Sequence, residues 1–285
     1  MKRIGIISLV FIGLFLVACG NGDNGYENGI NPNAQIAVVT REEGSGTRGA
    51  FVELVGLMVD GVDQTSLLAD IGQGTSGVLA QVSQNPNAIG YVTIGSIRDD
   101  VRPLQLNGIV PTAANVIAGL YEIYRPFYIS HLPNEDAIRD YFISFIMSEA
   151  GQALVADGYV PGDVNAPEFI RQYLSGSIQV AGSTAVYPIM SVLAEEFSNL
   201  TGINVDVLSM GSGAGISQSM EGNVEIGMSS RPLNAGELEV VNAIAIAYDG
   251  LAVIVHPNNT LIDNLTVEQV RQIFAGEITH WYQLQ

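Results

Sequence analysis

Much of what this chain lacks is the equipment of catalysis. It has one cysteine, Cys19, which excludes an intrachain disulfide and a CxxC metal or redox site. Its three histidines, His131, His256 and His280, are far apart in sequence, so a metal cluster would need a coincidence of folding. No GxxxxGK[ST] phosphate loop, HExxH pair or GxSxG nucleophile elbow occurs, the last being absent around Ser45, Ser76 and Ser212. Positive charge is scarce: 11 Lys and Arg face 29 Asp and Glu, for a net charge of −18. A chain without a basic stripe cannot neutralise a run of phosphates, which excludes nucleic acid as a partner. Its overall field repels anions, so an anionic ligand must be held by local hydrogen bonds. The apolar run Ile4 to Val17 is about 14 residues long, short of the roughly 20 that cross a bilayer.

That run has another reading. Lys2 and Arg3 precede it, and Leu16-Val17-Ala18-Cys19 closes it in the pattern of a bacterial lipoprotein signal. Residues 1–18 are then a signal peptide, Cys19 is the lipidated anchor, and residues 19–34, rich in Gly and Asn, form a flexible tether. The 285 residues, 47% hydrophobic and 14% charged, suffice for one large or two medium domains with a substantial core.

Short apolar strands alternate with amphipathic helices, the pattern of an α/β protein with a mainly parallel sheet. Ile36 to Val39 reads as a strand followed by a helix with Phe51, Leu54, Val55 and Met58 on one face. Ile178 to Ala181 reads as a strand before a helix with Pro188 in its first turn and Ile189, Val192, Leu193 and Phe197 on one face. Ile203 to Leu208, Val224 to Met228 and Leu251 to Val255 read as buried strands. Ile138, Tyr141, Phe142, Phe145 and Ile146 define another helix, and Thr266 with Gln269 forms a capping box opening one that buries Val270, Ile273 and Phe274. The stretch from Gly162 to Gly176 reads as a linker.

Three strand-to-helix turns share one chemistry: Thr40 to Arg48 (TREEGSGTR), Ala181 to Thr184 (AGST), and Met210 to Gly215 (MGSGAG). A helix N-terminus leaves N–H groups unpaired and carries partial positive charge, and small residues let an oxyanion approach the backbone. Hydroxyls add donors without bulk. Arg41 offers a planar fork to two anion oxygens, and Glu43 is placed to orient it. For any one turn alone, a Ser or Thr that merely caps its helix explains as much; three such turns with an arginine point to an anion site. Tyr91, Tyr121, Tyr124, Tyr128 and Trp281 read as core or rim and receive no role.

At these turns the chain resembles the phosphate-binding proteins of bacterial ABC importers. The segments VAGSTAVYPIM, GSGAGI, EIGMSSRPL, DGLAVIVHP, IFAGEITHW, VVTREEGSGTR, NAIGYVTIGS and EAGQALVADGYVP carry the likeness and span nearly all the chain after the tether. The resemblance implies a two-lobe, periplasmic-binding-protein-like (type II) α/β fold with a ligand cleft between lobes, no catalysis and no metal or cofactor. It also implies inorganic phosphate as ligand, permease subunits as partners, and a monomer outside the cytoplasm held to the cell membrane by the lipid on Cys19.

The segments come in an unusual order. In the family the VAGST segment opens the mature chain and the GYVP segment closes it; here Val38 to Pro161 matches the usual second half and Ile178 to Trp281 the usual first. The fold is therefore expected to be circularly permuted, with Gly162 to Gly176 joining the old ends. Such a rearrangement is tolerated where old ends lie close and new ones open on a surface connection. One lobe would comprise residues 35–119 plus 261–285 with the arginine turn, the other residues 120–260 with the two remaining turns. Fusion of halves from tandem genes or a truncated sequence are the alternatives.

Carried over residue by residue, the resemblance implies phosphate contacts from Arg41, Ser45, Gly46 and Thr47 on one lobe and from Thr184, the N–H of Ala185, Ser212 and Ser230 on the other, with Glu43 supporting Arg41. Ser230 departs from the pattern, because some members carry an aspartate there that accepts the proton of hydrogen phosphate. A serine accepts a hydrogen bond but does not repel sulfate by charge. Three rival readings follow: a binder of another tetrahedral oxyanion such as sulfate, a scaffold or sensor that has lost its ligand, and a phosphoesterase using Ser45 or Ser212. The last lacks an identifiable base or metal.

Overall fold

The computed structural model describes residues 30–285. The signal segment, Cys19 and the rest of residues 1–29 lie outside the described residues. Residues 30–34, expected in the tether, pack instead against the other end of the chain: Ile30 is buried and the Pro32 carbonyl accepts the N–H of Tyr282. Among the described residues no helix is long and apolar enough to cross a membrane.

Ten strands form one curled sheet, in the order Asn204–Ser209, Ser177–Gly182, Ile226–Ser229, Tyr124–His131, Asn242–Val255, Ala88–Thr93, Ala37–Arg41, Asp70–Gly72, with two short strands added to Asn242–Val255. The first three are mutually parallel, as are the last three. Tyr124–His131 and Asn242–Val255 run antiparallel to their neighbours and to each other. The expectation of a mainly parallel sheet thus holds only for the two wings, where helical crossovers build parallel pairs, and fails at the antiparallel middle.

Each wing has its own core. Phe127, Ile129, Phe145, Phe197, Ile226 and Ile246 pack on one side; Phe51, Tyr91, Tyr121, Ile123, Leu251, Val253, Phe274 and Trp281 pack on the other. The changeover lies between Ile123 and Phe127 and between Ala247 and Leu251, so the two antiparallel strands carry the chain from one core to the other.

Several expected elements form where the local signals put them. Thr266 and Gln269 make the reciprocal capping box of the helix Val267–Ala275, which buries Val270, Ile273 and Phe274. Pro188 sits in the first turn of Tyr187–Thr201, where its missing N–H costs nothing. Other readings need correction. The helix Gly46–Leu54 ends before Met58, because Gly56 takes a positive φ of 77° and turns the chain into a short strand; Leu54 is exposed. Val192 is likewise exposed, while Met190 and Ala194 share the buried face with Ile189, Leu193 and Phe197. Asn204–Ser209 is an edge strand with only Val205 buried. Leu251 to Val255 is the second half of the 14-residue strand Asn242–Val255. No helix or strand forms between Pro161 and Ser177.

Candidate oxyanion-binding site

The parallel wings put every candidate residue at the carboxyl end of a strand. Arg41 ends Ala37–Arg41, Ser183 and Thr184 follow Ser177–Gly182, Ser212 follows Asn204–Ser209, and Ser230 follows Ile226–Ser229. Open α/β sheets bind ligands beyond these strand ends, where helix N-termini collect.

The arginine turn is fixed from below by aromatic packing. Phe51, one turn into the helix after the arginine turn, stacks on Tyr91 with ring centroids 3.7 Å apart, and Phe274 meets both rings. This holds the Tyr91 hydroxyl against Thr40 Oγ1 (2.9 Å) and under the Arg41 N–H (3.2 Å). Arg41 itself is only 2% exposed. Its Nε and Nη2 donate to the two carboxylate oxygens of Glu42 at 2.8 and 2.7 Å, and Nη2 also donates across the cleft to Thr184 Oγ1 at 2.9 Å. Burial alone would raise the Glu42 carboxyl, but the bonds and charge of Arg41, with the N–H of Gly74, hold it below the usual range.

The role expected of Glu43 therefore belongs to Glu42. The N–H of Gly74, at the start of the helix Gly74–Gln84, draws the Glu42 carboxylate inward. Gly44, at a φ of 78°, turns the chain so that Glu43 stays outside and exposed.

The arginine turn meets the opposite serines at Gly46. A Cβ there would collide with Ser212 Oγ and Ser230 Oγ, so only glycine lets the arginine turn close on the opposite serines. The Gly213 N–H donates to the Gly44 carbonyl at 3.2 Å. Ser230, fully buried, takes a hydrogen bond from Ser183 Oγ at 2.9 Å, stands 3.2 Å from Ser212 Oγ, and donates its N–H to Ser212 Oγ at 3.1 Å. The Ala185 N–H turns back onto Ser183 Oγ at 3.2 Å. Ser45 caps its own helix by accepting the Arg48 N–H, which is the capping role open to any such residue. Thr47 Oγ1 accepts from Arg125 Nη2 at 3.0 Å. Arg41, Gly46, Thr47, Thr184, Ser212 and Ser230 thus come together; Glu43 does not join them.

Sequence reasoning missed Glu42, Tyr91, Ser183, Arg125 and Asp249. The last two are register partners on the crossing strands, 3.9 Å apart and both buried. Burial pushes the Asp249 carboxyl up to about 6, against the pull of Arg125, and lowers Arg125 to about 10. A charged residue inside each of two otherwise apolar strands was the available signal.

Among the described residues, no group of three or more His, Cys, Asp or Glu is arranged to hold a metal ion. His131 and His256 serve local turns: His131 Nδ1 lies 2.8 Å from the Leu132 carbonyl, and His256 Nδ1 takes the Asn258 N–H.

The sequence profile of the PBP superfamily domain matches residues 23–150 and 170–285. The chain belongs to the PBP superfamily. It is 37% identical over 290 residues to "Phosphate-binding protein PstS 2" of Streptococcus pneumoniae serotype 4, covering 99% of each chain. The crystal structure of a phosphate ABC transporter phosphate-binding protein from Streptococcus pneumoniae TIGR4 superposes with a TM-score of 0.71 at 37% identity, over 88% of this chain and 100% of that one. Against "Phosphate-binding protein PstS" of Bacillus subtilis the match is 34% over 116 residues, only 39% of this chain and 38% of that one.

Proposed function

We propose that this PBP-superfamily protein is the substrate-binding component of a bacterial phosphate importer, capturing one phosphate between its wings and handing it to a membrane permease. The observation that carries this reading is that donor-rich turns from both sides meet around the arginine turn: Ser212 and Ser230 close on Gly46, and Thr184 takes a hydrogen bond from the buried Arg41. Hydroxyls and N–H groups surround a desolvated anion without any need for net positive charge, which suits an acidic chain. Full-length similarity to streptococcal phosphate-binding proteins supports phosphate as the ligand. Ligand contacts come from Arg41, Ser45, Gly46 and Thr47 on one lobe and Thr184, Ala185, Ser212 and Ser230 on the other. Arg41 to Thr184, Gly213 to Gly44 and Arg125 to Thr47 are bonds between the two sides, and a ligand that binds both sides favours their closure.

The chain works as an extracytoplasmic monomer, tethered by lipid on Cys19. Its lobes are close to those read from sequence, residues 35–119 with 261–285 against 120–260, except that Tyr121, Ile123, Leu251, Val253 and Val255 pack in the core of the arginine-turn side. This moves the boundaries, and the hinge with them, onto the two strands that cross between the cores. Circular permutation has two supports. The chain's ends lie together, Gln35 bridging to His280 and Ile36 donating to the Thr279 carbonyl. Colinear similarity runs end to end in the streptococcal relative but over about two fifths of the Bacillus subtilis one.

Calorimetric titration of the full-length chain in detergent, with phosphate and then sulfate at neutral pH, tests the reading. One-site binding that prefers phosphate is expected. Sulfate preference would assign the site to another oxyanion, and no binding by folded protein would leave a scaffold or sensor.

A further inference from the structure

Arg125 is poorly accounted for as a strand-locking residue. A fully buried guanidinium is normally satisfied by a direct carboxylate fork. Here the nearest carboxylate oxygen, Asp249 Oδ2, is 3.9 Å away, and Nε and Nη1 have no hydrogen-bond partner. The Phe127 ring lies 5.5 Å from the guanidinium carbon and offers only its face. The one hydrogen bond that Arg125 makes among the described residues runs out of the hinge and into the arginine turn, from Nη2 to Thr47 Oγ1.

That bond dictates the chemistry of Thr47. An oxygen that accepts from a guanidinium directs its own proton elsewhere. Thr47 is in the first turn of the helix Gly46–Leu54, next to Gly46, whose neighbours are Ser212 and Ser230. Among the described residues the bond shown for Thr47 Oγ1 is the one it accepts from Arg125, which leaves its proton for an anion bound beside Gly46.

We propose that Arg125 is a positioning residue of the anion site, acting through Thr47, whose hydroxyl it fixes as a donor to the bound oxyanion without touching the ligand itself. The inference rests on the oxyanion-binding reading above. Asp249 keeps the guanidinium in register from the facing strand, at a distance that leaves the fork free to point at Thr47. The hinge strands and the ligand turn are thereby joined by one side chain.

The test is a double-mutant cycle. Phosphate titrations of the full-length chain in detergent at neutral pH compare the wild type with Arg125→Gln, Thr47→Val and the double variant, each checked by circular dichroism and thermal unfolding. Arg125→Gln is expected to weaken binding at least about tenfold, and to add less than about twofold once Thr47 is Val, because a residue that acts through a hydroxyl has no effect without it. Unchanged binding in Arg125→Gln, or losses that simply multiply, would overturn the inference. A wild type that binds neither phosphate nor sulfate would instead remove the oxyanion reading and the inference with it. Should Arg125→Gln fail to fold, arginine side-chain nitrogen resonances of the wild type decide: those of Arg125 shift on phosphate saturation if Thr47 engages the anion, and stay fixed if Arg125 is only structural.

Discussion

Ser230 decides what kind of oxyanion the site prefers. It is fully buried, and it is fed by a directed chain of bonds in which the Ala185 N–H donates to Ser183 Oγ and Ser183 Oγ–H donates to Ser230 Oγ. A hydroxyl that accepts in this way presents its own proton to Ser212 or to a ligand. The ring around Gly46 is therefore built of donors, which suit the proton-free sulfate dianion as well as hydrogen phosphate. Replacing Ser230 by Asp adds both an acceptor for the phosphate proton and a charge that repels sulfate. Sulfate affinity is expected to fall about a hundredfold, roughly 3 kcal/mol, while phosphate affinity is kept. Competition calorimetry near pH 7.5 measures this; an equal loss for both anions would mean that the carboxylate had only disturbed the packing against Gly46.

The two crossing strands add a pH response at the scale of elements. Burial raises the Asp249 carboxyl to about 6, while Arg125, the Thr93 hydroxyl and the N–H groups of Ile94 and Gly95 pull it down; Tyr121 and Tyr159 also face it, and Arg41 and Tyr91 bear on Arg125 from the arginine turn and its neighbour. The unfolded carboxyl titrates near 3.8, so the stabilising contribution of the protonated, buried form is complete below that value and lost as pH rises through about 6. A neutral Asp249 leaves the charge of Arg125 uncompensated, which favours an anion nearby. Sulfate keeps its charge from about pH 5 to 8, so its affinity in the wild type is expected to rise several-fold as pH falls across that range. Asp249→Asn should flatten the profile, and a flat wild-type profile would show that the pair is not coupled to the site. These strands also mark where the sequence stopped being readable. Local chemistry exposed the capping box at Thr266, the proline of the helix Tyr187–Thr201 and the three Gly/Ser turns, because each signal lies within a few residues. The strand Asn242–Val255 was seen only from Leu251 onward, since alanines and Asp249 break its apolar pattern. Arg125 and Asp249 are partners only in three dimensions. Choosing Glu42 over Glu43 as the carboxylate on Arg41 required knowing that Gly74 arrives from another helix.

At the scale of the whole molecule, the order of segments and the distribution of charge make separate predictions. Because Gln35 and Ile36, just before the first strand, are bonded to the last turn, a chain rewritten as residues 178–285 joined by a short linker to residues 36–161 is expected to fold and to bind phosphate within a fewfold of the original. A reordered chain that is folded but does not bind would show that the segment 162–176 or the present ends contribute to the site. Charge acts at longer range. Arg48, Arg98, Arg102, Arg139, Arg231 and Arg271 are each held in an ion pair with Asp or Glu, so these cations form no free basic patch. The long-range field is then that of a chain with a net charge of −18, and phosphate must reach a short-range donor site through it. Screening acts over about 10 Å at 0.1 M salt. It weakens the approach barrier far more than it weakens hydrogen bonds inside a closed, desolvated cleft. Stopped-flow association with phosphate is therefore expected to speed up by about threefold or more between roughly 10 and 150 mM salt, with the dissociation rate little changed. An association rate that falls with salt would mean that the cleft mouth carries a local positive field strong enough to steer phosphate inward despite the acidic chain, and that Arg125 and Arg41 are felt well outside the site.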